Sequence, residues 1–353
     1  MQSPFRYNPA FDGLRAIAAM LVLGYHCRVP GLNPSYFGVD VFFVLSGFLI
    51  TRLLAEETEA QGRIDLPQFY LRRLLRLGPP LLLLLLVYLT VAPTIWPQLS
   101  EGEHLRDAAL TGFYLSDYAF AFWEIPKLLR HSWSLSVEEH FYLIWPLVVL
   151  LLARCDARRR ILILAGLFVL ATAWRVFEYH HTGWVATYYR FDTRISGLIL
   201  GALLATCLPS IGQISDRMAN IIGVIACAVL VICLRVGYWR SPWALVTITT
   251  LIEMSAAGLL VSASVSQSWV STTLSTPPLA ALGVISYGVY LWHYPIAAYF
   301  RDWLPWQQAV PIVAISAIAA ATVSYLTIER PLRRYRHSLG SGSLPIAQAT
   351  PTR

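Results

Sequence analysis

Apolar residues in this chain come in runs of about twenty, separated by short polar or basic loops. That alternation predicts helices crossing a lipid bilayer, since a span needs about 20 residues to traverse the hydrocarbon. Ten segments qualify: 10–28, 37–55, 77–93, 134–153, 161–179, 190–208, 218–236, 243–263, 280–300 and 308–328. The chain is therefore expected to be an all-α polytopic membrane protein of about ten transmembrane helices. Pro79 and Pro80 fall where the third span would begin, and the first helical turn is where proline costs least. The stretch DAALTGFYLSDYAFAF (107–122) is also apolar, but it is short and carries Asp107 and Asp117. It is expected to lie at the interface, or to re-enter from the outer face, and not to cross.

Three basic clusters orient the spans: LRRLLR (71–76), RCDARRR (154–160) and RPLRRYR (330–336). Two expected spans separate the first from the second, and six the second from the third, so all three share one side. Short basic loops stay cytoplasmic, which places both termini inside. Residues 1–336 form the expected membrane domain. The tail 337–353, small and polar, is expected to be a disordered cytoplasmic segment. No short apolar core with a small-residue cleavage site precedes the first hydrophobic segment, which therefore reads as a span and not a removable signal.

Composition agrees with the lipid bilayer as partner. Hydrophobic residues make up 56% of the chain, charged residues 13%, and mean hydropathy is +0.56. A soluble protein carries nearly twice that charge. The formal net charge of +7 is no sign of nucleic-acid binding, because the arginines cluster beside hydrophobic segments as topology-setting loops do. Cys27, Cys155, Cys207, Cys227 and Cys233 show neither paired spacing nor a CxxC, so neither a disulfide framework nor a metal site is expected.

Polar residues inside the spans sort into two layers. Arg15 and His26 share the first segment, and eleven residues return a helix to within about 20° of its starting face while climbing roughly 16.5 Å. One stripe of one helix thus carries a cation near one boundary and an imidazole near the other. The outer layer holds His26, Asp40, Glu138 and Glu139, with Arg190, Asp192 and Arg194 at the start of the sixth span. An imidazole beside a carboxylate suits general-base chemistry on a hydroxyl, with Asp40 or Glu138 fixing the tautomer of His26. The inner layer holds Asp12, Arg15, Arg72, Arg73 and Arg76, and guanidinium forks suit phosphate oxygens. Ser286, Tyr290 and His293 fall at i, i+4 and i+7 of the ninth span and so share a stripe, which makes His293 a competitor to His26 as base.

These segments together resemble the integral-membrane acyltransferase-3 family, bacterial enzymes that O-acylate sugars, glycans and some antibiotics. The resemblance rests on FDGLRAIAAMLVLGYH with its Arg-x10-His spacing, GVDVFFVLSGFLI (38–50), FYLRRLLRLGPP (69–80) and WSLSVEEHFYLIWP (133–146). It continues through RFDTRISGLILGALLA (190–205), ISYGVYLWHYP (285–295) and IERPLRR (328–334). It implies an acyl-coenzyme A donor, most simply acetyl-coenzyme A, acting as co-substrate with no permanently bound cofactor. It also implies a carbohydrate or glycoconjugate acceptor at the outer face of the bacterial inner membrane. His26 would be catalytic, while Arg15, Arg73 and Arg76 would serve the donor. Many relatives carry an extra span and an extracytoplasmic SGNH hydrolase-like domain, so this chain is expected to be the stand-alone form. A transporter of a small solute or polysaccharide precursor is the alternative, since intramembrane charges also mark transport paths. It would be expected to show an inverted repeat, and none is visible. A membrane scaffold would leave both polar layers without a reason.

Overall fold

The computed structural model describes residues 7–333 apart from 33–35, 211–213, 238–239 and 242, and the expected tail 337–353 lies outside the described residues. Helix α1 (Pro9–His26) starts where the Asn8 side chain accepts a hydrogen bond from the Ala10 N–H. It is followed by α2 (Gly38–Gln61), α3 (Leu66–Ile95), α4 (Glu101–Gly112) and α5 (Ser116–Trp123). Next come α6 (Trp133–Leu152), α7 (Ala157–Tyr189), α8 (Phe191–Arg194), α9 (Ser196–Cys207) and α10 (Asp216–Val236). The series ends with α11 (Thr249–Ala263), α12 (Trp269–Leu274), α13 (Pro277–Val284), α14 (Ser286–Phe300) and α15 (Trp306–Ser324). No strand occurs among the described residues. This is an all-α polytopic membrane protein.

Among the described residues, seven helices are long and apolar enough to cross a bilayer: those containing α2, α3, α6, α7, α10, α11 and α15. They coincide with seven of the ten expected spans. The other three take different forms. α1 reaches 18 residues but carries Asp12 and Arg15. The segment 190–208 is divided between α8 and α9, and 280–300 between α13 and α14. The ambiguous stretch 107–122 is split between α4 and α5, with Tyr114 at a positive φ of 55° between them, and neither piece is long enough to span.

One boundary differs from the expectation. α3 begins at Leu66 and not near residue 77, because Asp65 caps it by accepting from the Gln68 N–H and Pro67 occupies the first turn. Pro79 and Pro80 therefore lie inside a continuous helix, and Arg72, Arg73 and Arg76 ride on its first turns.

Small residues set how closely the helices pack. A Cβ at Gly47 would lie 1.9 Å from the Leu198 carbonyl oxygen, and one at Gly201 would lie 2.0 Å from that of Val44, so α2 and α9 cross backbone to backbone. α1 packs against α2, α12, α13 and α14, and Gly283 leaves room for the Asp12 carbonyl. The rim is apolar in the way lipid contact requires. Leu82, Leu86, Leu147, Leu151, Leu162 and Leu170 are all exposed.

The basic loops at 62–65 and 153–156 should face the cytoplasm, and the α3–α4 connection the exterior. Single-cysteine labelling in a Cys-free variant should reach Gly102 from outside, but Gly62 and Asp156 only after permeabilisation. Labelling of Asp156 from outside would show that 107–122 crosses.

Candidate active site

α1 runs through the middle of the site. Its last residue, His26, sends Nδ1–H to the Val22 carbonyl at 3.3 Å, which leaves Nε2 as the ring's free lone pair. The ring centroid lies 5.2 Å from that of His293 and 4.8 Å from that of Tyr294, both on α14. A third imidazole joins them: His131 lies 5.7 Å from His293 and stacks on Tyr294 at 4.9 Å. His131 was missed in the sequence, although it opens the HSWSLSVEEH segment.

Proline chemistry explains how His131 is held. Pro295 has no N–H to give to the Leu291 carbonyl one turn earlier, so that oxygen is free. His131 Nε2–H donates to it at 3.1 Å. His293 Nδ1–H donates to the Tyr290 carbonyl at 2.6 Å. Backbone carbonyls therefore fix all three tautomers, and His131 Nδ1 and His293 Nε2 are buried with no hydrogen-bond partner. Tyr290 braces the cluster, its hydroxyl 2.6 Å from Ser134 Oγ and donating to the His131 carbonyl at 3.0 Å. Of the expected Ser286–Tyr290–His293 stripe, His293 is brought to His26, and Tyr290 to His293 and His131. Ser286 is buried at the start of α14 and makes no side-chain hydrogen bond among the described residues.

The expected carboxylate partners of His26 are not beside it. Asp40 Oδ1 pairs with Arg194 Nη2 at 2.5 Å, both side chains fully buried. The Arg194 guanidinium also lies over the rings of Tyr188 and Trp133. Next to this pair, Arg175 Nη1 bonds Glu253 Oε1 at 2.9 Å and Ser196 Oγ at 2.6 Å. Arg190 and Asp192 are likewise satisfied locally: Arg190 bonds Glu178 and Asp192, and Asp192 also accepts from Tyr118 and Trp174. The physical reason is common to all. A cation in apolar surroundings recruits the nearest carboxylate, and these carboxylates are turned toward an arginine and not toward the imidazole. Arg175 and Glu253 were also missed, and a charge inside each of two expected spans was the signal available.

Glu138 sits deeper than expected. Ser46 donates to its Oε1 at 2.7 Å and the Tyr142 hydroxyl lies 3.4 Å from Oε2. Ser46 is six residues along α2 from Asp40, about 9 Å at 1.5 Å per residue. Glu138 therefore lies toward the Arg15 and Arg76 end of the bundle.

The three inner arginines do converge. Arg15, Arg73 and Arg76 all act electrostatically on one another's surroundings, and Glu138, Glu139 and Tyr142 complete the group. Arg15 bonds Asp12 at 3.0 Å, whereas Arg72 is committed to Glu57 and Gln68. Arg73 lies over the Tyr142 ring at 5.2 Å and over Phe69 at 5.7 Å. Neither Arg73 nor Arg76 has a hydrogen-bonding or ion-pair partner among the described residues. Arg76 keeps an exposed side chain and Arg73 a half-buried one.

Comparison with known proteins fits this geometry. Peptidoglycan O-acetyltransferase OatA of Listeria monocytogenes is 33% identical over 93% of this chain and 56% of its own length. O-acetyltransferase OatA of Staphylococcus aureus is 34% identical over 95% of this chain and 58% of its own length. The chain thus spans a little over half the length of the curated relatives it matches. No solved structure matches it. The family described as Acyltransferase domain matches residues 8–329, which takes in both the histidine cluster and the inner arginines, and the chain belongs to that family.

Proposed function

We propose that the chain is a membrane O-acyltransferase moving an acyl group, most simply acetyl, from acyl-coenzyme A to a hydroxyl of a glycan. The observation that carries this reading is Arg73 and Arg76, two accessible guanidinium groups to which no carboxylate is bonded among the described residues. Such cations call for an anion, and coenzyme A offers a pyrophosphate and a ribose phosphate. His26, with Nε2 free, lies on the same helix as Arg15 and roughly 16.5 Å farther along it. A pantetheine arm entering past the arginines would carry its thioester toward the imidazole. The hydroxyl proton then passes to His26 Nε2 as the oxygen attacks the thioester carbonyl. The C–O ester bond forms, the C–S bond breaks, and the imidazolium returns the proton to the departing sulfur. By analogy with the relatives' names, the acceptor is a peptidoglycan-type glycan, and the setting is the bacterial cytoplasmic membrane with donor inside and acceptor outside.

His26→Gln should lower transfer by about 10²–10⁴-fold, the usual contribution of a general base, with insertion unchanged. Coenzyme A release with a purified glycan acceptor is the assay. Near-normal turnover in His26→Gln together with inactive His293→Ala would move the base to His293.

The double variant Arg73→Lys, Arg76→Lys keeps the charge but loses the planar fork. It should raise KM for acyl-coenzyme A more than KM for the glycan, read by titration in nanodiscs. Unchanged donor affinity would reduce the cluster to a topology signal.

Asp40→Ala leaves Arg194 buried and uncompensated, a loss of about 3–5 kcal/mol. It should therefore lower the melting temperature in detergent, while the fraction that stays folded retains its KM for both substrates. A wild-type melting temperature with lost turnover would return Asp40 to a catalytic role.

A further inference from the structure

At the His26 end of the bundle a cavity of about 350 Å³ opens between the last turn of α3 and the last turn of α14. That volume is within the range of small-molecule sites. Its walls are aromatic: Trp96 and Tyr299 meet edge to face at 6.3 Å, and Trp303 stands 79% exposed at the mouth. Gln98 and Asp302 supply the polar groups. The Gln98 amide is exposed and makes no hydrogen bond within the protein among the described residues. Asp302 spends Oδ1 on Arg28 Nη2 at 2.7 Å, but its side chain is still 55% exposed, so Oδ2 is available.

The cavity is built on held backbone. The Trp96 N–H bonds the Ala92 carbonyl at 2.8 Å. The Trp96 carbonyl receives the Leu99 N–H at 3.2 Å and His104 Nε2 at 3.3 Å, and His104 is fixed in turn by the Tyr88 hydroxyl at 2.9 Å. It also communicates with the histidine cluster through few contacts. Arg28 follows His26 by two residues and reaches both Asp302 and the Arg301 carbonyl. The Arg301 guanidinium lies over Tyr294, whose ring meets that of His26.

We propose that this cavity is a saccharide subsite, holding a sugar unit of the acceptor next to the one acylated at His26. The inference rests on the acyl-transfer reading for that last clause alone. A pyranose has an apolar C–H face and a rim of hydroxyls. The aromatic plates match the face, while the Gln98 amide and the free oxygen of Asp302 match the rim. The acyl donor fits poorly here, because the cation at the cavity, Arg28, is already paired with Asp302. Aromatic rings at a membrane boundary also serve as interfacial anchors. An anchor needs only the rings, whereas a sugar site also needs Gln98 and Asp302.

The test is binding of a β-1,4-linked N-acetylglucosamine tetramer to the full chain in nanodiscs, by calorimetry and saturation-transfer NMR. It is run in the His26→Gln background, so that binding is read without transfer. Gln98→Ala, Asp302→Asn and Trp303→Ala should each weaken binding about ten-fold or more, with Trp303→Phe retaining most of it. In an active background the same variants should raise KM for the tetramer and leave KM for the donor unchanged. Binding equal to that of the parent in Gln98→Ala and Asp302→Asn overturns the proposal and leaves the rings as anchors. Specific tetramer binding by a chain that releases no coenzyme A would keep the subsite and sink the acyl-transfer reading.

Discussion

A charge in the apolar interior of a helical bundle has to be neutralised close by, and that constraint organises this molecule. Leaving one partner of a buried pair without the other costs about 3–5 kcal/mol, so each interior cation draws a carboxylate onto itself. Arg194 takes Asp40, Arg175 takes Glu253, and Arg190 takes Glu178 and Asp192. These pairs join α2, α7, α8 and α11, which are distant in sequence, so they also fix how the helices assemble. Where the rule is broken, a ligand is implied. Arg73 rests on the faces of Phe69 and Tyr142 and Arg76 is exposed, with no carboxylate bonded to either among the described residues. Pairing builds the scaffold, and its absence marks the place proposed above for the donor.

How much of this was legible depended on how local each feature is. The Arg15–His26 stripe could be read because both residues ride one helix, and helical geometry is fixed by its own hydrogen bonds. The expected span 10–28 and the helix Pro9–His26 agree within two residues. Convergence of Arg73, Arg76 and Arg15 was also legible, through i, i+3 spacing on one helix and shared depth on another. Partner choice between remote helices was not. Asp40 and His26 lie at the same depth, but depth does not say which neighbour a carboxylate faces, and Arg194 won Asp40. Glu138 was misplaced for a related reason: it faces Ser46 on α2, and that rotation is decided by tertiary packing. The start of α3 was misjudged because proline was weighted above the capping Asp65 eleven residues or more upstream.

The histidine cluster shows a different solution to the same constraint. An imidazole can be oriented by a carboxylate or by a backbone carbonyl, and only the first adds a charge that must itself be neutralised. Here the carbonyls do the orienting. Pro295 removes one helical hydrogen bond from α14, and the Leu291 oxygen so released takes the N–H of His131. His293 uses the Tyr290 carbonyl and His26 that of Val22. The three rings therefore need no charged partner to hold them, and each keeps a nitrogen lone pair available. Because the orienting groups are main-chain atoms, no single side-chain replacement outside the rings removes them. The exception is Pro295, whose replacement would restore a competing N–H to the Leu291 oxygen and loosen His131 without touching any ring.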